Sequence, residues 1–278
     1  MADDSGVSRM RVWPRRSLRR RCALLIILGL AATSLVLNCA PSKQSTLQRI
    51  RKTGVLTIGT DATYPPFESV DAKNGEVVGF DVDLVRAVAK QLGVEARFLV
   101  VPFDGIIAGL KTGKYDLVVS AMTITPDRAK AVRFTQPYVV AGQSIAVRAD
   151  ETRIAGASDL VGLKVGCQLG TTGELEAKKI PHGQVTSFDA IGAAFRDLEN
   201  RNLDAVIADT PTARIFIRDH PTIRLAGAPL TREEFGMAVR PEDVELQQAI
   251  NSALDQLRAS GERGKIEETW GVTGTEGR

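Results

Sequence analysis

Short apolar strands alternate with helical segments along most of this 278-residue chain, and this alternation limits the folds open to it. Val55–Gly59 has the β-branched composition of a strand, and Asp81–Leu92 carries apolar residues at helical spacing, closed by Gly93. The second half repeats the order, with predicted strands at Leu163–Cys167 and Leu203–Ala208. This alternation predicts an α/β sheet.

A local pattern that occurs twice predicts two lobes of similar architecture. Leu110 is followed six residues later by Asp116 and then by the strand-like run Leu-Val-Val-Ser. Leu198 is likewise followed six residues later by Asp204 and then by Ala-Val-Ile-Ala. Each lobe is expected to contain one copy of this helix, turn and strand.

Loops that follow the predicted strands are the candidate ligand-binding positions. In open α/β sheets, ligands bind beyond the carboxyl ends of the strands. If the two lobes face each other, four such loops converge on one cleft. These loops contain Asp61, Ser120, Gly170 and Asp209.

The first 38 residues have the order of a secretory signal. Residues 1–21 contain seven arginines against two aspartates, and residues 22–38 carry no charge. Because the total charge is only +3, the rest of the chain is mildly acidic, and no nucleic-acid partner is expected. Val36-Leu37-Asn38-Cys39 resembles a lipobox, so Cys39 is a candidate for lipidation; an uncleaved anchor or cleavage elsewhere is the alternative. Arg15-Arg16 leaves Sec and twin-arginine export both open.

Cysteine and histidine are scarce, which argues against disulfides, metal sites and cofactors. The cysteines are Cys22, Cys39 and Cys167, and the histidines are His182 and His220. No zinc-type spacing occurs among them. Cys167 lies in a predicted strand, where a small buried side chain is the simpler interpretation than a nucleophile.

The stretch Ser120 to Arg128 could hold an anion. Thr125 and Pro126 suit the N-cap and first position of a helix, which places Arg128 in its first turn. The hydroxyls of Ser120 and Thr123, exposed amides and the guanidinium would face one space and suit a carboxylate. The alternative is that Asp127 or another acid simply pairs with Arg128.

Three further features each have a structural and a functional interpretation. Asp209 could hold a cation such as an α-ammonium, or cap a helix that begins at Pro211. The loop Gly170–Gly173 could offer amides to an anion, or be only a turn. The aromatic residues near the predicted loops could form cleft walls or core: Tyr64, Phe67 and Phe103. Common catalytic motifs such as Gly-x-Ser-x-Gly are absent from the sequence.

Gly79-Phe80-Asp81-Val82-Asp83-Leu84 resembles the signature of bacterial solute-binding protein family 3, the polar amino-acid binding proteins of ABC importers. The resemblance continues through residues 58–68, 120–128 and 169–172 and covers residues 46–271 in the family's order. It implies an α/β, two-lobed periplasmic-binding-protein fold of type II, with lobes joined by two hinge strands. The implied division is a signal over 1–38, a lipid-anchor tether over 39–52, a first lobe from 53–143 and 231–278, and a second lobe over 144–230.

The resemblance also implies roles for individual residues. The residue matching Arg128 grips the ligand α-carboxylate, and the one matching Asp209 takes the α-ammonium. The remaining implied contacts are polar ones from Ser120, Ala121, Thr123, Thr171 and Thr172, and a side-chain pocket formed by Asp61, Tyr64, Phe103 and Gln168. Asp61 would favour a cationic or amide side chain, so arginine, lysine, histidine or glutamine is expected.

The expected protein is therefore an exported, lipid-anchored monomer that passes an amino acid to a permease with an ATPase subunit. Two alternatives are an enzyme resembling cyclohexadienyl dehydratases, which share this fold, and a ligand-sensing receptor.

Overall fold

Two five-stranded sheets form the framework of the computed structural model, which describes residue 1 and residues 44–272. In chain order the strands of this part are β1 (Val55–Thr60), β2 (Thr63–Tyr64), β3 (Glu68–Val70), β4 (Val77–Val78), β5 (Glu95–Val100), β6 (Leu117–Val118), β7 (Arg133–Phe134), β8 (Val139–Ala141), β9 (Gln143–Arg148), β10 (Lys164–Gln168), β11 (Gln184–Phe188), β12 (Ala205–Asp209), β13 (Ile223–Ala226), β14 (Glu233–Phe235) and β15 (Ala238–Val239). The α-helices are α1 (Thr46–Thr53), α2 (Phe80–Leu92), α3 (Ile106–Lys111), α4 (Pro126–Ala129), α5 (Thr172–Lys178), α6 (Ile191–Glu199), α7 (Thr210–Asp219), α8 (Val244–Ala259) and α9 (Glu262–Trp270).

The two sheets have the same plan, and each is the centre of one lobe. The first lobe contains the order β5–β1–β6–β15–β7, in which β1 runs parallel to β5 and β6 while β15 is antiparallel to its neighbours. The second lobe contains β11–β10–β12–β9–β13, in which β10 runs parallel to β11 and β12 while β9 is antiparallel to its neighbours. The two-lobed α/β fold expected from the sequence is confirmed.

Two strands that cross between the lobes form the hinge. The chain leaves the first lobe through β8 into β9, and it returns from β13 through β14 into β15. Strands β8 and β14 pair antiparallel, with Val139 opposite Phe235 and Ala141 opposite Glu233. We call this two-stranded pair the hinge; its residues are 139–141 and 233–235.

The last two helices pack on the first lobe, a choice that the sequence pattern left open. Helices α8 and α9 both contact α2. The indole nitrogen of Trp270 in α9 donates a hydrogen bond to Asp83 of α2 at 2.8 Å. The first lobe is therefore built from both ends of the described chain.

Helix α1 occupies the second half of residues 39–52, the stretch that the sequence analysis assigned to a tether. Ser45 and Gln48 form a capping box at its start, and Gly54 ends it in the left-handed conformation. Leu47 and Ile50 are buried, and the helix contacts α8. Only two apolar residues of this helix are buried against the rest of the first lobe. The segment is therefore mostly polar in sequence, although it belongs to that lobe.

The repeated sequence pattern corresponds to equivalent contacts in the two lobes. Asp116 accepts a hydrogen bond from the Thr57 hydroxyl of β1 at 2.8 Å, and Asp204 accepts one from the Lys164 main-chain N–H of β10 at 2.9 Å. The residue before each aspartate packs on a glycine: Tyr115 on Gly59 of β1, and Leu203 on Gly166 of β10. A Cβ at Gly59 would lie 2.6 Å from the ring of Tyr115, and a Cβ at Gly166 would lie 2.5 Å from Leu203.

Two local predictions were wrong. The sequence predicts that Asp104 caps a helix over the apolar residues that follow it, but Asp104 lies in a 3₁₀ turn, and α3 begins after Gly105 without a side-chain cap. The sequence also predicts a strand over residues 115–120, but β6 covers only Leu117–Val118. Tyr115 precedes this strand, with its ring in the core and its hydroxyl donating to the carbonyl of Ile106.

The predicted signal segment, Cys22 and Cys39 lie outside the described residues. Among residues 44–272, none of the helices combines the length and apolar character that crossing a bilayer requires.

Candidate ligand-binding site

One cavity between the lobes brings together every residue for which the family resemblance implied a ligand contact. Counted together with the space that is open to solvent, the gap between its walls amounts to about 270 Å³. Its walls are formed by Asp61, Tyr64, Phe103, Ser120, Ala121, Thr123, Arg128, Gln168, Thr171, Thr172 and Asp209.

Arg128 lies at the first-lobe end of the cavity and reaches across to the second lobe. Its Nη1 donates to the carbonyl of Thr123 at 2.8 Å, and its Nη2 donates to the carbonyl of Gly170 at 3.0 Å. The guanidinium also stacks over the ring of Phe103, 5.3 Å from its centroid. Burial lowers its pKa from the usual arginine value, and the charges of Glu233 and Asp209 oppose that effect.

The local helix orients Arg128 as the sequence predicted. Thr125 is the N-cap of α4, and its hydroxyl accepts a hydrogen bond from the main-chain N–H of Arg128 at 3.2 Å. Asp127 is exposed and pairs with Lys130 at 2.7 Å. The alternative in which Asp127 pairs with Arg128 is therefore wrong, and the guanidinium faces the cavity.

Asp209 ends β12 on the second-lobe side of the cavity and is almost fully buried. Its Oδ2 accepts a hydrogen bond from the phenol of Tyr64 at 2.7 Å, whereas its Oδ1 is buried with no hydrogen-bond partner within residues 44–272. Helix α7 begins at Thr210, and the side chain of Asp209 does not cap it. Burial, and then the charge of Glu233, raise the pKa of Asp209 to about 7.

Ser120 and Ala121 contribute to the cavity in a different way from the one expected. The Ser120 hydroxyl donates to Glu68 at 2.7 Å and accepts from the Asp61 main-chain N–H at 3.0 Å, so its proton does not face an anion in the cavity. The N–H of Ala121 donates to Asp81 at 2.7 Å and holds this alanine at a positive φ of 43°. The partners lie far away in sequence, which is why spacing alone did not show them.

Two buried acids, Asp81 and Glu68, accept the hydrogen bonds from Ala121 and Ser120. Asp81 also accepts a hydrogen bond from the Tyr138 phenol at 2.8 Å. Burial raises the pKa of Asp81 to about 7. Burial, followed by the charge of Asp81, raises the pKa of Glu68 well above its usual range. Both acids occur in the segments that carry the family resemblance, which is the one sequence signal for them.

Asp61 of the first lobe and Gln168 of the second lobe are joined by a hydrogen bond across the cavity. The Gln168 Nε2 donates to Asp61 Oδ2 at 2.9 Å and to the Asp189 carbonyl at 2.9 Å. The Thr63 hydroxyl also donates to Asp61. Burial raises the pKa of Asp61, and the hydrogen bonds from Thr63 and Gln168 partly offset this rise.

The start of α5 supplies the second-lobe threonines. The Thr171 hydroxyl caps the helix, accepting from the Glu174 N–H at 3.2 Å and donating to the Gln168 carbonyl at 2.7 Å. The Thr172 hydroxyl lies 3.3 Å from that of Thr123 in the first lobe.

Glu233 is a site residue that the sequence analysis missed. It lies on β14 in the hinge, and its carboxylate accepts hydrogen bonds from both Thr123 and Thr172. Its position after the second lobe, in a run with Arg232 and Glu234, resembles an ordinary solvated charge cluster in the sequence.

Taken together, the site has one cation, Arg128, two carboxylates, Asp61 and Asp209, and walls from both lobes. Direct hydrogen bonds cross the cleft, so the lobes are closed on each other: Tyr64 to Asp209, Gln168 to Asp61, and Arg128 to Gly170. Such an arrangement defines a two-lobed protein with a cleft for one small polar solute.

Comparison with known proteins identifies the family. The model of bacterial extracellular solute-binding proteins, family 3, matches residues 56–273, and the chain belongs to this family. It is 37% identical over 221 residues to ABC transporter arginine-binding protein 1 of Escherichia coli, covering 77% of this chain and 90% of that protein. It is 30% identical over 259 residues to the L-cystine-binding protein TcyJ of E. coli, covering 92% and 95%.

A solved structure agrees with the family assignment. A crystal structure of the P235GK mutant of ArgBP from T. maritima superposes with a TM-score of 0.78 at 43% identity, covering 81% of this chain and 98% of that chain. The relatives are named as binding proteins, which agrees with the expectation of a binding role.

Proposed function

We propose that this protein captures a polar or basic amino acid outside the cytoplasm and delivers it to an ABC permease. The observation that carries the proposal is the pair formed by Arg128 and Asp209. They face one closed cavity from opposite lobes, and Asp209 keeps one buried carboxylate oxygen without a partner among residues 44–272. A free amino acid has one carboxylate and one ammonium, which match these two groups.

The two charged groups provide a large part of the free energy that tight binding requires. A hydrogen bond to a charged group contributes about 1.5–3 kcal/mol. A micromolar dissociation constant corresponds to about −8 kcal/mol, so two such anchors leave the remainder to further polar contacts and to packing of the ligand side chain. Phe103, which stacks on Arg128, is available for that packing.

Asp61 and Gln168 are proposed to select the ligand side chain. Asp61 is buried and already accepts from Gln168 and Thr63, so a second carboxylate placed beside it would be repelled. A guanidinium, ammonium, imidazole or amide group would add a donor instead. Arginine, lysine, histidine and glutamine are therefore the favoured ligands, and the similarity to an arginine-binding protein supports the first of these.

Closure of the lobes is proposed to depend on the ligand. A ligand shifts a conformational equilibrium only by the difference in its affinity for the two states. Arg128 and Asp209 belong to different lobes, so one zwitterion can satisfy both only when the lobes are closed. The hinge formed by residues 139–141 and 233–235 is the connection about which this movement would occur.

Lipidation of Cys39, attachment to a membrane, a monomeric state and partnership with a permease and its ATPase subunit belong to the same proposal. The family description as extracellular and the ABC-transporter name of a relative support export and transport. Mass spectrometry of the mature protein, isolated from its own membrane fraction, would detect a diacylglyceryl group on Cys39.

The test of ligand class is a thermal-shift panel of the twenty amino acids. A ligand that binds only the folded state raises stability by RT ln(1 + [L]/Kd). Arginine, lysine, histidine and glutamine are expected to give the largest shifts. A clear preference for glutamate or aspartate would refute the role proposed for Asp61.

We propose binding rather than catalysis, and one assay separates the two. Incubation with prephenate or arogenate should give no elimination product at rates above the uncatalysed reaction. Turnover of either compound would favour the dehydratase alternative.

A further inference from the structure

The carboxylate of Glu233 in the hinge contacts hydroxyl groups from both lobes. Its Oε2 accepts hydrogen bonds from Thr123 of the first lobe at 2.8 Å and from Thr172 of the second lobe at 2.7 Å. Its Oε1 accepts a third hydrogen bond, from Thr231 at 2.8 Å. One side chain therefore joins the hinge to both walls of the cavity.

These contacts determine which way the threonine protons point. An ionised carboxylate can only accept hydrogen bonds, and each hydroxyl has a single proton to donate. Both protons of Thr123 and Thr172 are thus directed at Glu233. Towards the cavity the two hydroxyls can offer only lone pairs, and one lone pair of Thr172 is already used by the Gln143 side-chain amide at 3.0 Å.

Lone pairs directed into the cavity favour a donor such as an ammonium group. They disfavour a carboxylate, which would need the protons that Glu233 holds. The negative charge of Glu233 acts in the same direction, because it lies close enough to Asp209 and Arg128 to influence the ionisation of both. Glu233 therefore adds a second negative charge close to Asp209, and the same charge also acts on Arg128.

We infer that Glu233 is a positioning residue that makes the α-ammonium group a requirement for binding, by orienting the hydroxyls of Thr123 and Thr172 as acceptors when the lobes close. The inference rests on the proposed function, since it assumes that the ligand is an amino acid. Glu233 would thereby help the site to distinguish amino acids from other carboxylic acids of the same length.

The experiment compares L-arginine with its α-hydroxy analogue, in which a hydroxyl replaces the ammonium. Affinities are measured by isothermal titration calorimetry for the wild type, Glu233→Gln and Glu234→Gln. Should the thermal-shift panel select another amino acid, that amino acid and its own α-hydroxy analogue are used. Glu234 is the matched control, because it lies on the same strand and pairs instead with Arg232 at 3.6 Å.

Glu233→Gln is expected to weaken arginine binding by about 10- to 100-fold. The analogue should change by less than about threefold, because the freed threonine protons can now bond its hydroxyl oxygen. The preference for the amino acid then falls by at least tenfold, while Glu234→Gln keeps the wild-type preference. A purely structural role would weaken both ligands by the same factor, and that result, or no change in either, would overturn the inference.

Thr172→Val and Thr172→Ser provide a second test that leaves Glu233 in place. The valine variant removes one acceptor and should lower the preference for the amino acid, while the serine variant should restore it. Adding Glu233→Gln to a Thr123→Val/Thr172→Val variant should not weaken arginine binding any further. Additive losses would contradict an action through the hydroxyls.

The failure of the two ideas can be told apart. A wild type that binds none of the twenty amino acids overturns the proposed function and this inference together. A wild type that binds an amino acid, with an unchanged preference in Glu233→Gln, overturns the inference alone.

Discussion

The phenolic oxygen of Tyr64 in the first lobe lies 2.7 Å from Oδ2 of Asp209 in the second lobe, and it also accepts the main-chain N–H of Asp209 at 3.1 Å. The sequence resemblance implied that Tyr64 lines the pocket for the ligand side chain. In the structure its hydroxyl belongs to the end of the cavity where an ammonium is proposed to bind. This contact forms only when the lobes are closed, so closure provides Asp209 with a hydrogen-bond donor.

Tyr64→Phe should therefore weaken amino-acid binding by about 5- to 150-fold. The variant keeps the ring but leaves a buried carboxylate oxygen without its donor in the closed form, which costs about 1–3 kcal/mol. Calorimetric titration with the best ligand of the panel measures the loss. Tyr115→Phe is the control, because its hydroxyl donates to Ile106 inside the first lobe and its loss should leave affinity unchanged. Equal affinities of Tyr64→Phe and the wild type would contradict the coupling.

Arg128→Ala should reduce affinity for the ligand by at least about 30-fold. Removing one member of a buried, hydrogen-bonded charge pair costs roughly 2–5 kcal/mol, since the ligand carboxylate is left buried without its partner. Lys130→Ala is the matched control on the same turn, where the ammonium is exposed and pairs with Asp127. Binding of Arg128→Ala within threefold of the wild type would refute the assignment of the carboxylate end.

Ligand affinity should rise with pH between 6 and 8. The pKa of Asp209 is raised to about 7 by burial and then by Glu233, so at pH 6 this carboxyl is mostly protonated and must lose a proton before it can hold an ammonium. Affinity should then fall towards about tenfold for each pH unit below 7. Calorimetry in buffers of different ionisation enthalpy would also count the released proton. Asp209→Asn should bind weakly at every pH, and a flat wild-type profile would contradict the prediction.

Folding stability should decrease as pH rises from 5 to 7. Asp81 has a raised folded-state pKa of about 7 against 3.8 for the unfolded chain, so the folded state holds the proton more tightly. Its contribution is fully present below pH 3.8 and is lost as pH rises through 7, at up to about 1.4 kcal/mol per pH unit for one proton. The raised pKa values of Glu68 and Asp209 act with the same sign.

Urea denaturation at several pH values measures this dependence. Asp81→Asn imitates the protonated acid, since its oxygen can still accept from Ala121 and Tyr138, and it should flatten the dependence. Asp83→Asn is the matched control: it changes a half-buried acid of the same helix that accepts a hydrogen bond from Trp270, and it should keep the wild-type slope. Identical slopes for Asp81→Asn and the wild type would assign the proton to another group.

Helix α1 should be required for full stability of the first lobe. Ile50 is fully buried, and truncation of a buried isoleucine to alanine typically costs 2–5 kcal/mol. Ile50→Ala should therefore lower the free energy of unfolding by about that amount, whereas Arg51→Ala on the exposed face should change it by less than about 0.5 kcal/mol. A loss below 1 kcal/mol for Ile50→Ala would mean that this helix behaves as a tether after all.

The sequence alone was sufficient for the alternation of strands and helices, the two-lobed fold and the set of residues around the cavity. These features depend on local patterns, such as Thr125-Pro126 before Arg128, and on a family resemblance that spans most of the chain. Helix α1, over residues 46–53, was not predicted because two apolar residues in a polar stretch give a weak periodic signal. The packing of this helix against α8 becomes visible only in the tertiary structure.

The directions of protons and charges in the site were decided only by tertiary structure. Ser120 is predictable as a cleft residue, but its proton goes to Glu68, which is 52 positions away, and Glu233 reaches Thr123 from 110 positions away. No sequence spacing encodes such pairs, because they form only when distant segments fold onto each other. Which groups the cleft offers to a ligand therefore follows from the sequence, whereas which of them donate and which accept follows from the fold.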